Sequence, residues 1–543
     1  MNLRQITLLS ALCLLASNCK NGEKTKAVAK STVSSKPKHW KPARQAALYF
    51  TTGSLGYMEP CGCTSKPMGG IQRLATVVKS EKLESALLDA GNLILPKEHI
   101  DESNREQHVY KAETLAGFYQ KLGVKAVNIG HADLVEGQDF LKTIQQKSKI
   151  PFVSVNQSFQ ADKGPMIKRA LVHVLDGIKV GVTGISLDTK NSRAVISDRD
   201  KQSLVKELKE LSTAKVDVLV LLADASATGA EELARLFPQL NFIIRSPGSK
   251  ITRKPFAPKK VGNVLVIEAG SQGQYVGKLE LLLGDDVPST LQFDDGGLSA
   301  KGKISLIERK ISALRRDIER LSKDAASREA VSAREKQLSV LTSRLDGLSS
   351  GSNLTGPHAK FELIALTEDV QSDSEGDAIL KAYYSKLAKM NLTKGDVSLC
   401  EKKKPEDAVY VGTKVCADCH DEAYAFWKKS KHAKAWKTLE DDNKHYDLTC
   451  IACHVVGYQE PGGFCRLADV GVFKDVGCEN CHGPGSTHAE DEDPDSIILA
   501  STENTCAKLC HVPEHSDQFE YTKYIKEITG EGHELTEASL PKN

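Results

Sequence analysis

Four short motifs in the last quarter of the chain place two cysteines and a histidine at the spacing that attaches a haem. Three read Cys-x-x-Cys-His, and the fourth has one more residue between its cysteines. The cysteine pairs are Cys416/Cys419, Cys450/Cys453, Cys478/Cys481 and Cys506/Cys510, followed by His420, His454, His482 and His511. The thiols of such a motif add to the vinyl groups of haem, and the histidine ligates the iron. A single copy could be a zinc or redox pair, but four copies predict four covalent haems (haem c).

The ligands on the opposite faces of the irons are expected to be histidines. All five methionines precede the first motif, so none within the haem region can serve as a ligand. Five further histidines lie in that region: His432, His445, His488, His515 and His533. We therefore expect mostly iron with two histidine ligands, at low potential because methionine ligation is what raises it. Five candidates for four positions leave open whether one haem keeps a vacant face.

The N-terminus has the pattern of an export signal. Arg4 precedes an apolar stretch, residues 6–15, that is too short to span a bilayer. The stretch ends at Ala16-Ser17-Asn18-Cys19, which resembles a bacterial lipobox and implies a signal peptide over 1–19 with lipidation of Cys19. Asn18 departs from the usual small residue there, so ordinary signal cleavage remains the alternative. Residues 20–43, rich in Lys and Ser, predict a flexible tether.

Apolar runs alternate with helical segments over residues 44–285, which predicts a layered α/β domain. The predicted helices are Gly70–Ser80, Tyr110–Leu122 and Ala227–Leu236. The predicted strands are Ala47–Thr51, Ala86–Asp89, Ala126–Ile129, Phe152–Val155, Lys179–Ile185, Val216–Leu222, Phe242–Ile244, Val264–Glu268 and Tyr275–Leu283.

The motifs of this region resemble 5′-nucleotidase-type metallophosphatases, and the resemblance implies an αββα sandwich. It rests on Leu87–Asn92, Leu122–Gly130, Pro151–Asn156, Gly181–Ile185 and Glu268–Gly277. The family's metal ligands are replaced: its Asp-x-His becomes Gly53-Ser54-Leu55, and no histidine occurs between His173 and His358. Asn92, His131 and Asp133 remain as possible ligands, with ordinary polar loop residues as the alternative. We therefore expect a scaffold without phosphatase activity.

Two cysteines occupy the first βα loop, where that family keeps metal. Cys61 and Cys63 flank Gly62 and precede Gly69-Gly70. Such a pair could form a reducible disulfide or bind a soft metal. The alternative is a structural disulfide, with Cys400 as a possible partner. This Cys-Gly-Cys segment before a Gly-Gly also resembles the corresponding segment in a sub-branch of exported nucleotidase-like proteins.

Residues 300–350 carry a heptad pattern that lapses midway and resumes, which predicts a helical hairpin or short coiled coil. A surface helix on its own domain is the alternative. The next segment, 351–404, predicts a strand at Phe361–Glu368 and a helix at Asp377–Met390, connecting the domains.

Residues 405–543 resemble the tetrahaem cytochrome c-554 family, a mainly α domain. Matching segments include Phe426-Trp427, Ser430–Ala435, Cys453–Tyr458 and Val476–Gly485. The resemblance implies close haem pairs that relay electrons, three with two histidine ligands and one open, at His454. It implies His432 and His488 as distal ligands. His533 is our choice for the third, with His445 and His515 as surface residues.

These patterns predict an exported, multihaem electron-transfer protein. The alternative is a periplasmic reductase acting at the open haem of His454 or at Cys61 and Cys63, so enzymatic activity stays undecided. We expect a lipid-anchored protein on the periplasmic side of a bacterial membrane, with the outer membrane favoured. Expected partners are redox proteins or quinol-linked donors and acceptors. A net charge of +2, from 73 basic and 71 acidic residues, gives no nucleic-acid signature.

Overall fold

The structure is a computed structural model, and its α/β part contains two sheets of different size. The described residues are 40–60, 67–96, 100, 102–158, 160–161, 164–165, 167–187, 196–247, 256–286, 288, 290–322, 328–349, 354–507, 510–512, 516, 518–530 and 532–533. The predictions for Cys19, Cys61, Cys63 and His515 therefore lie outside the described residues. No described helix has the length and apolarity of a membrane span.

The strands of the α/β domain are mostly short and buried. They are β1 (Arg44–Thr51), β2 (Ser85–Asp89), β3 (Val124–Asn128), β4 (Phe152–Val153), β5 (Gln160–Ala161), β6 (Gly164–Pro165), β7 (Ala170–Leu175), β8 (Ile178–Ser186), β9 (Val218–Asp224), β10 (Phe242–Ser246), β11 (Lys259–Val261), β12 (Val264–Ile267), β13 (Tyr275–Leu283), β14 (Gln292–Asp294) and β15 (His358–Ala365). A seven-stranded sheet has the order β14-β15-β13-β1-β2-β3-β4, and a six-stranded sheet has the order β11-β12-β10-β9-β8-β7. The pair β5-β6 stands apart.

The α/β part also contains helices, most of which cover the outer faces of the two sheets. They are α1 (Ile71–Lys79), α2 (Glu102–Lys121), α3 (Gly137–Ser148), α4 (Asp198–Thr213), α5 (Ala227–Leu236), α6 (Leu298–Leu321), α7 (Arg328–Ser349) and α8 (Ser374–Asn391). Strand β1 shows how the layers arise: Leu48 and Phe50 pack between the two sheets, whereas Ala47 and Tyr49 face helices α1, α2, α3 and α8. Helices α4 and α5 cover the other sheet. Because successive side chains point to opposite faces, strands buried on both faces yield an αββα sandwich, as predicted.

The α/β domain extends beyond its predicted end at residue 285. Strand β15 pairs with β13 along its whole length, from Tyr275↔Ala365 to Leu282↔His358, and so lies inside the large sheet. Helix α8 packs on the same layer through Leu380, Tyr383 and Leu387. The segment predicted as a connector thus belongs to this domain. Helices α6 and α7 pack against each other as an insertion between β14 and β15.

The C-terminal region is built from short helices and turns. The helices are α9 (Thr413–Cys416), α10 (Asp421–Trp427), α11 (Ala435–Asp441), α12 (Leu448–Ile451), α13 (Glu479–His482), α14 (Ser486–Asp491), α15 (Glu503–Ala507) and α16 (Tyr521–Ile528). One apolar cluster, around Trp436, Leu439, Ile451 and Phe464, supports the second motif. A region with so little side-chain core would draw part of its buried apolar surface from the predicted haems.

A disulfide corrects the prediction for Cys400. It joins Cys400 to Cys465, not to Cys61 or Cys63. Cys400 ends a short 3-10 helix that follows α8, and its carbonyl accepts a hydrogen bond from Gly462 N at 2.9 Å. The bond therefore ties the end of the α/β domain to the loop between the second and third motifs.

Candidate functional site: four haem attachment motifs and their histidines

Three pairs of imidazole rings face each other in the C-terminal region. The ring centres of His420 and His488 are 6.1 Å apart, and those of His432 and His511 are 6.3 Å apart. The rings of His482 and His533 are 6.4 Å apart. A metal–imidazole bond of about 2 Å on each side of an iron puts two ring centres roughly 6 Å apart. The three spacings therefore fit one iron atom between the members of each pair.

The fourth motif histidine, His454, has different surroundings. No described histidine ring is paired with it at such a spacing, whereas His420, His482 and His511 each have one. Its Nδ1 lies 2.6 Å from the carbonyl oxygen of Ala435, so the ring is held by the chain. This arrangement fits an iron with one histidine ligand and one open face.

A contact between Nδ1 and a neighbouring oxygen also orients other candidate ligands. Nδ1 of His482 lies 2.6 Å from Ile498 O, and Nδ1 of His488 lies 2.9 Å from Asp493 O. Nδ1 of His511 lies 3.0 Å from Ser516 Oγ. A ring that donates from Nδ1 presents Nε2 as the free lone pair, which is how histidine ligands are usually oriented.

Burial keeps several of these rings neutral. It lowers the pKa of His432, with His511 adding to the effect, and it lowers the pKa of His511. Burial also lowers the pKa of His533, with His482 and His420 contributing. Neutral imidazole is the form that binds a metal.

The cysteines of different motifs approach one another. Their thiols stand in here for thioether sulfurs. Cys416 of the first motif is hydrogen-bonded to Cys478 of the third. Cys453 of the second motif is hydrogen-bonded to Cys510 of the fourth. Cys481 of the third motif lies within electrostatic range of Cys506 and Cys510 of the fourth. The attachment sites therefore follow the spatial order first, third, fourth, second.

His445, predicted at the surface, is half-buried. Its ring lies 4.2 Å from that of Tyr446 and 5.8 Å from that of Trp436. The apolar cluster around the second motif encloses it, because Trp436 and Tyr446 both belong to that packing. No signal in the sequence distinguished this aromatic contact from solvent exposure.

Asn92, His131 and Asp133, the possible metal ligands of the sequence analysis, are hydrogen-bonded to neighbouring protein groups. Asn92 Nδ2 donates to Asp224 Oδ1 and to Ser246 Oγ, both at 2.9 Å. His131 Nδ1 lies 2.7 Å from Asp224 Oδ2. Asp133 accepts hydrogen bonds from the backbone N–H groups of Asn92, Ile94 and Gly130. Among the described residues no cluster of three or more His, Cys, Asp or Glu is arranged to hold a metal ion.

Known proteins similar to this chain fall into two groups. Residues 415–483 match the family described as "Cytochrome c554 and c-prime". Cytochrome c-554 of Nitrosomonas europaea is 36% identical over 94 residues, which cover 14% of this chain and 40% of that protein. The chain thus spans less than half the length of this relative. The predicted resemblance of the C-terminal region to the cytochrome c-554 family is confirmed.

The second group consists of solved structures. A 5′-nucleotidase precursor from Thermus thermophilus is 17% identical with a TM-score of 0.42, covering 73% of this chain and 68% of that one. The calcineurin-like phosphoesterase YfkN from Bacillus subtilis is 14% identical with a TM-score of 0.40, covering 63% of this chain and 97% of that one. These structures are of the class that the α/β motifs resemble.

Proposed function

We propose that this protein is an exported electron carrier with four covalent haems c, and the three facing histidine pairs are the observation that carries the proposal. His420 and His488 would bind the iron at Cys416 and Cys419, and His482 and His533 the iron at Cys478 and Cys481. His511 and His432 would bind the iron at Cys506 and Cys510. His454 alone would bind the iron at Cys450 and Cys453. Iron with two histidine ligands exchanges electrons without binding substrate.

The cysteine contacts give the four haem sites of the carrier an order in space. Each iron, when bound, takes up and releases one electron between its ferric and ferrous forms. The contacts Cys416–Cys478 and Cys453–Cys510 bring two sites together in each of two pairs. The third and fourth motifs join the pairs through Cys481 and Cys506. The first and second motifs therefore form the two ends of the relay.

Cys19 would carry a lipid that holds the protein on the periplasmic side of a bacterial membrane, with the outer membrane favoured. Donors and acceptors would be redox proteins or quinol-linked complexes. The α/β domain would serve as a scaffold without phosphatase activity, because its polar side chains occupy one another.

Two measurements test the carrier. Mass spectrometry of the mature protein should show four haems, and three or fewer would contradict haem attachment at Cys506 and Cys510. A carbon monoxide titration of the reduced protein should reach one equivalent per chain, at the iron of His454. Binding at three or four irons would contradict the histidine pairs.

A second candidate function is reduction of a substrate at the open face of the His454 iron or at Cys61 and Cys63. The favouring observation is that Glu59, two residues before Cys61, forms an ion pair with Lys444 at 3.5 Å. Lys444 lies six residues before Cys450. A Cys61–Cys63 dithiol that gives two electrons and two protons to a substrate would become a disulfide. Two ferrous irons, each oxidised to the ferric form, could return two electrons to that disulfide, and two protons from solvent would restore the dithiol.

The double variant C61S/C63S tests the cysteine half of this alternative. We expect slower haem oxidation or reduction by the physiological partner, with haem content unchanged. Unchanged kinetics would leave the α/β domain as a scaffold.

A further inference from the structure

Helix α2 of the α/β domain buries a glutamine against the second haem attachment motif. The Gln107 side chain is only 1% exposed, although it lies on a helix with charged neighbours. Its Nε2 donates to Asp447 Oδ1 at 2.6 Å, and its Oε1 accepts from Leu448 N at 3.0 Å. Gln107 thus contacts the first residue of α12 and the residue before it.

A second buried amide completes the contact. Asn391, at the end of α8, is 1% exposed and donates through Nδ2 to Gln107 Oε1 at 2.6 Å and to Tyr446 O at 2.8 Å. The amide donors and acceptors of Gln107 and Asn391 are buried. A buried polar group that loses its hydrogen-bonding partner destabilises the folded state. The cluster therefore specifies one position of α12 relative to the α/β domain.

Helix α12 carries the attachment of the open haem site. Asp447 caps it by accepting from Thr449 N at 3.0 Å, and Cys450 lies within it. His454 follows three residues after the helix ends. A shift of α12 would therefore move both an attachment sulfur and His454, the proposed ligand of that iron.

Charges from both domains surround the same edge. Asp447, Lys111 and Lys444 lie within electrostatic range of the Cys450 sulfur. Lys111 lies one helical turn after Gln107 on α2, so one face of this helix supplies both a hydrogen bond and a cation. A cation beside a haem edge favours the ferrous state, because reduction removes one positive charge from the iron.

We propose that Gln107 is a positioning residue for the haem attached at Cys450 and Cys453. It holds α12 against the α/β domain and, together with Lys111, sets the reduction potential of the iron bound by His454. The inference rests on the proposed tetrahaem function. It gives the α/β domain a role at one particular iron, the one that lies at an end of the relay and has an open face.

The test exchanges the two hydrogen-bonding partners in the full-length haem protein. Gln107→Glu puts a second buried carboxylate against Asp447, and we expect the equilibrium constant for reducing the carbon monoxide-binding haem to fall on the order of tenfold. In the double variant Q107E/D447N, the amide introduced at position 447 can donate to the new carboxylate, so the constant should return to within about twofold of the wild-type value. Gln120→Glu is the control, because it makes the same chemical change at an exposed position of α2. It should leave the equilibrium constant for haem reduction unchanged.

A second measurement does not depend on the Q107E variant folding. Lys111→Gln removes one cation from the same edge and should lower the same equilibrium constant severalfold, on the order of threefold. An unchanged constant in Q107E or in K111Q, or a Q107E effect that D447N does not reverse, would overturn the inference. Four haems by mass and one carbon monoxide equivalent in the wild-type protein test the carrier itself, so the two failures are distinguishable.

Discussion

Each facing imidazole pair joins the histidine of one attachment motif to a histidine from another part of the chain. His432 lies between the first and second motifs but faces His511 of the fourth. His488 follows the third motif but faces His420 of the first. The ring that faces each of these motif histidines is therefore decided by the fold of the whole region and not by proximity in sequence.

Removing one member of a pair should open a second iron. In His432→Ala the iron attached at Cys506 and Cys510 would keep only His511, so the carbon monoxide stoichiometry of the reduced protein should rise from one to two. His445→Ala is the matched control, because that ring packs on Trp436 and Tyr446. A stoichiometry that stays at one in H432A would contradict the His432–His511 pairing.

Two buried carboxyl groups of the α/β domain should make its stability depend on pH. Burial raises the pKa of Asp89 to about 8 and that of Asp133 to about 6. An aspartate in an unfolded chain titrates near ~3.9, so between these values the folded state binds more protons. The resulting stabilisation is fully present below about pH 4 and is lost as the pH rises through the folded-state pKa values.

Asp89→Asn should remove most of this dependence. Urea unfolding, followed by circular dichroism at about pH 5 and about pH 8, gives the unfolding free energy at each pH. Each unit by which folding raises a pKa corresponds to at most about 1.4 kcal/mol of this free energy. The wild-type protein should lose stability between the two pH values, and D89N should lose less. Equal losses would contradict burial as the cause.

At the scale of elements, the disulfide and the buried amide cluster fasten the same junction. Cys400–Cys465 closes a loop with a sequence separation of 65 residues. Loop-closure entropy for that length corresponds to about 4 kcal/mol, and typical measured values are about 2–4 kcal/mol. We expect C400S/C465S to lower the unfolding free energy by this amount in a denaturant titration. Four haems should remain attached, since neither cysteine belongs to an attachment motif. An unchanged urea midpoint would contradict this prediction and show that other contacts hold the junction.

The sequence predicted those elements whose pattern is local. Strand β13 and helix α5 have the predicted bounds, because both are set by apolar periodicity and by flanking polar residues. Strand β7 was missed: it lies at a sheet edge and exposes Val172 and Val174, which blurs its alternation. The place of β15 inside the large sheet depends on pairing with β13 across the helical insertion, and no local pattern records that contact.

The same distinction applies to the site. Cysteine and histidine spacing predicted the four motifs, because haem attachment needs only five or six consecutive residues. Ring pairing, the order of the motifs in space and the partner of Cys400 are long-range contacts. They became visible only with the structure.

At the scale of the whole molecule, the polar side chains at the end of the α/β sandwich are engaged with one another. Both oxygens of Asp133 already accept backbone hydrogen bonds, and Asn92 bridges Asp224 and Ser246. We expect no hydrolysis of nucleoside monophosphates above background with Mn²⁺, Mg²⁺ or Zn²⁺. Metal-stimulated phosphate release that vanished in N92A or D133A would contradict this expectation.

The order of the motifs in space also has a consequence for assembly. Cys416 meets Cys478, and Cys453 meets Cys510, so each contact unites an early motif with a late one. The first pair can close only after the third motif has been made, and the second pair only after the fourth. A chain truncated after the second motif would therefore expose two unpaired sites at once. Resistance to protease should therefore appear late in maturation, first with the third motif and then with the fourth, and not with the first two motifs.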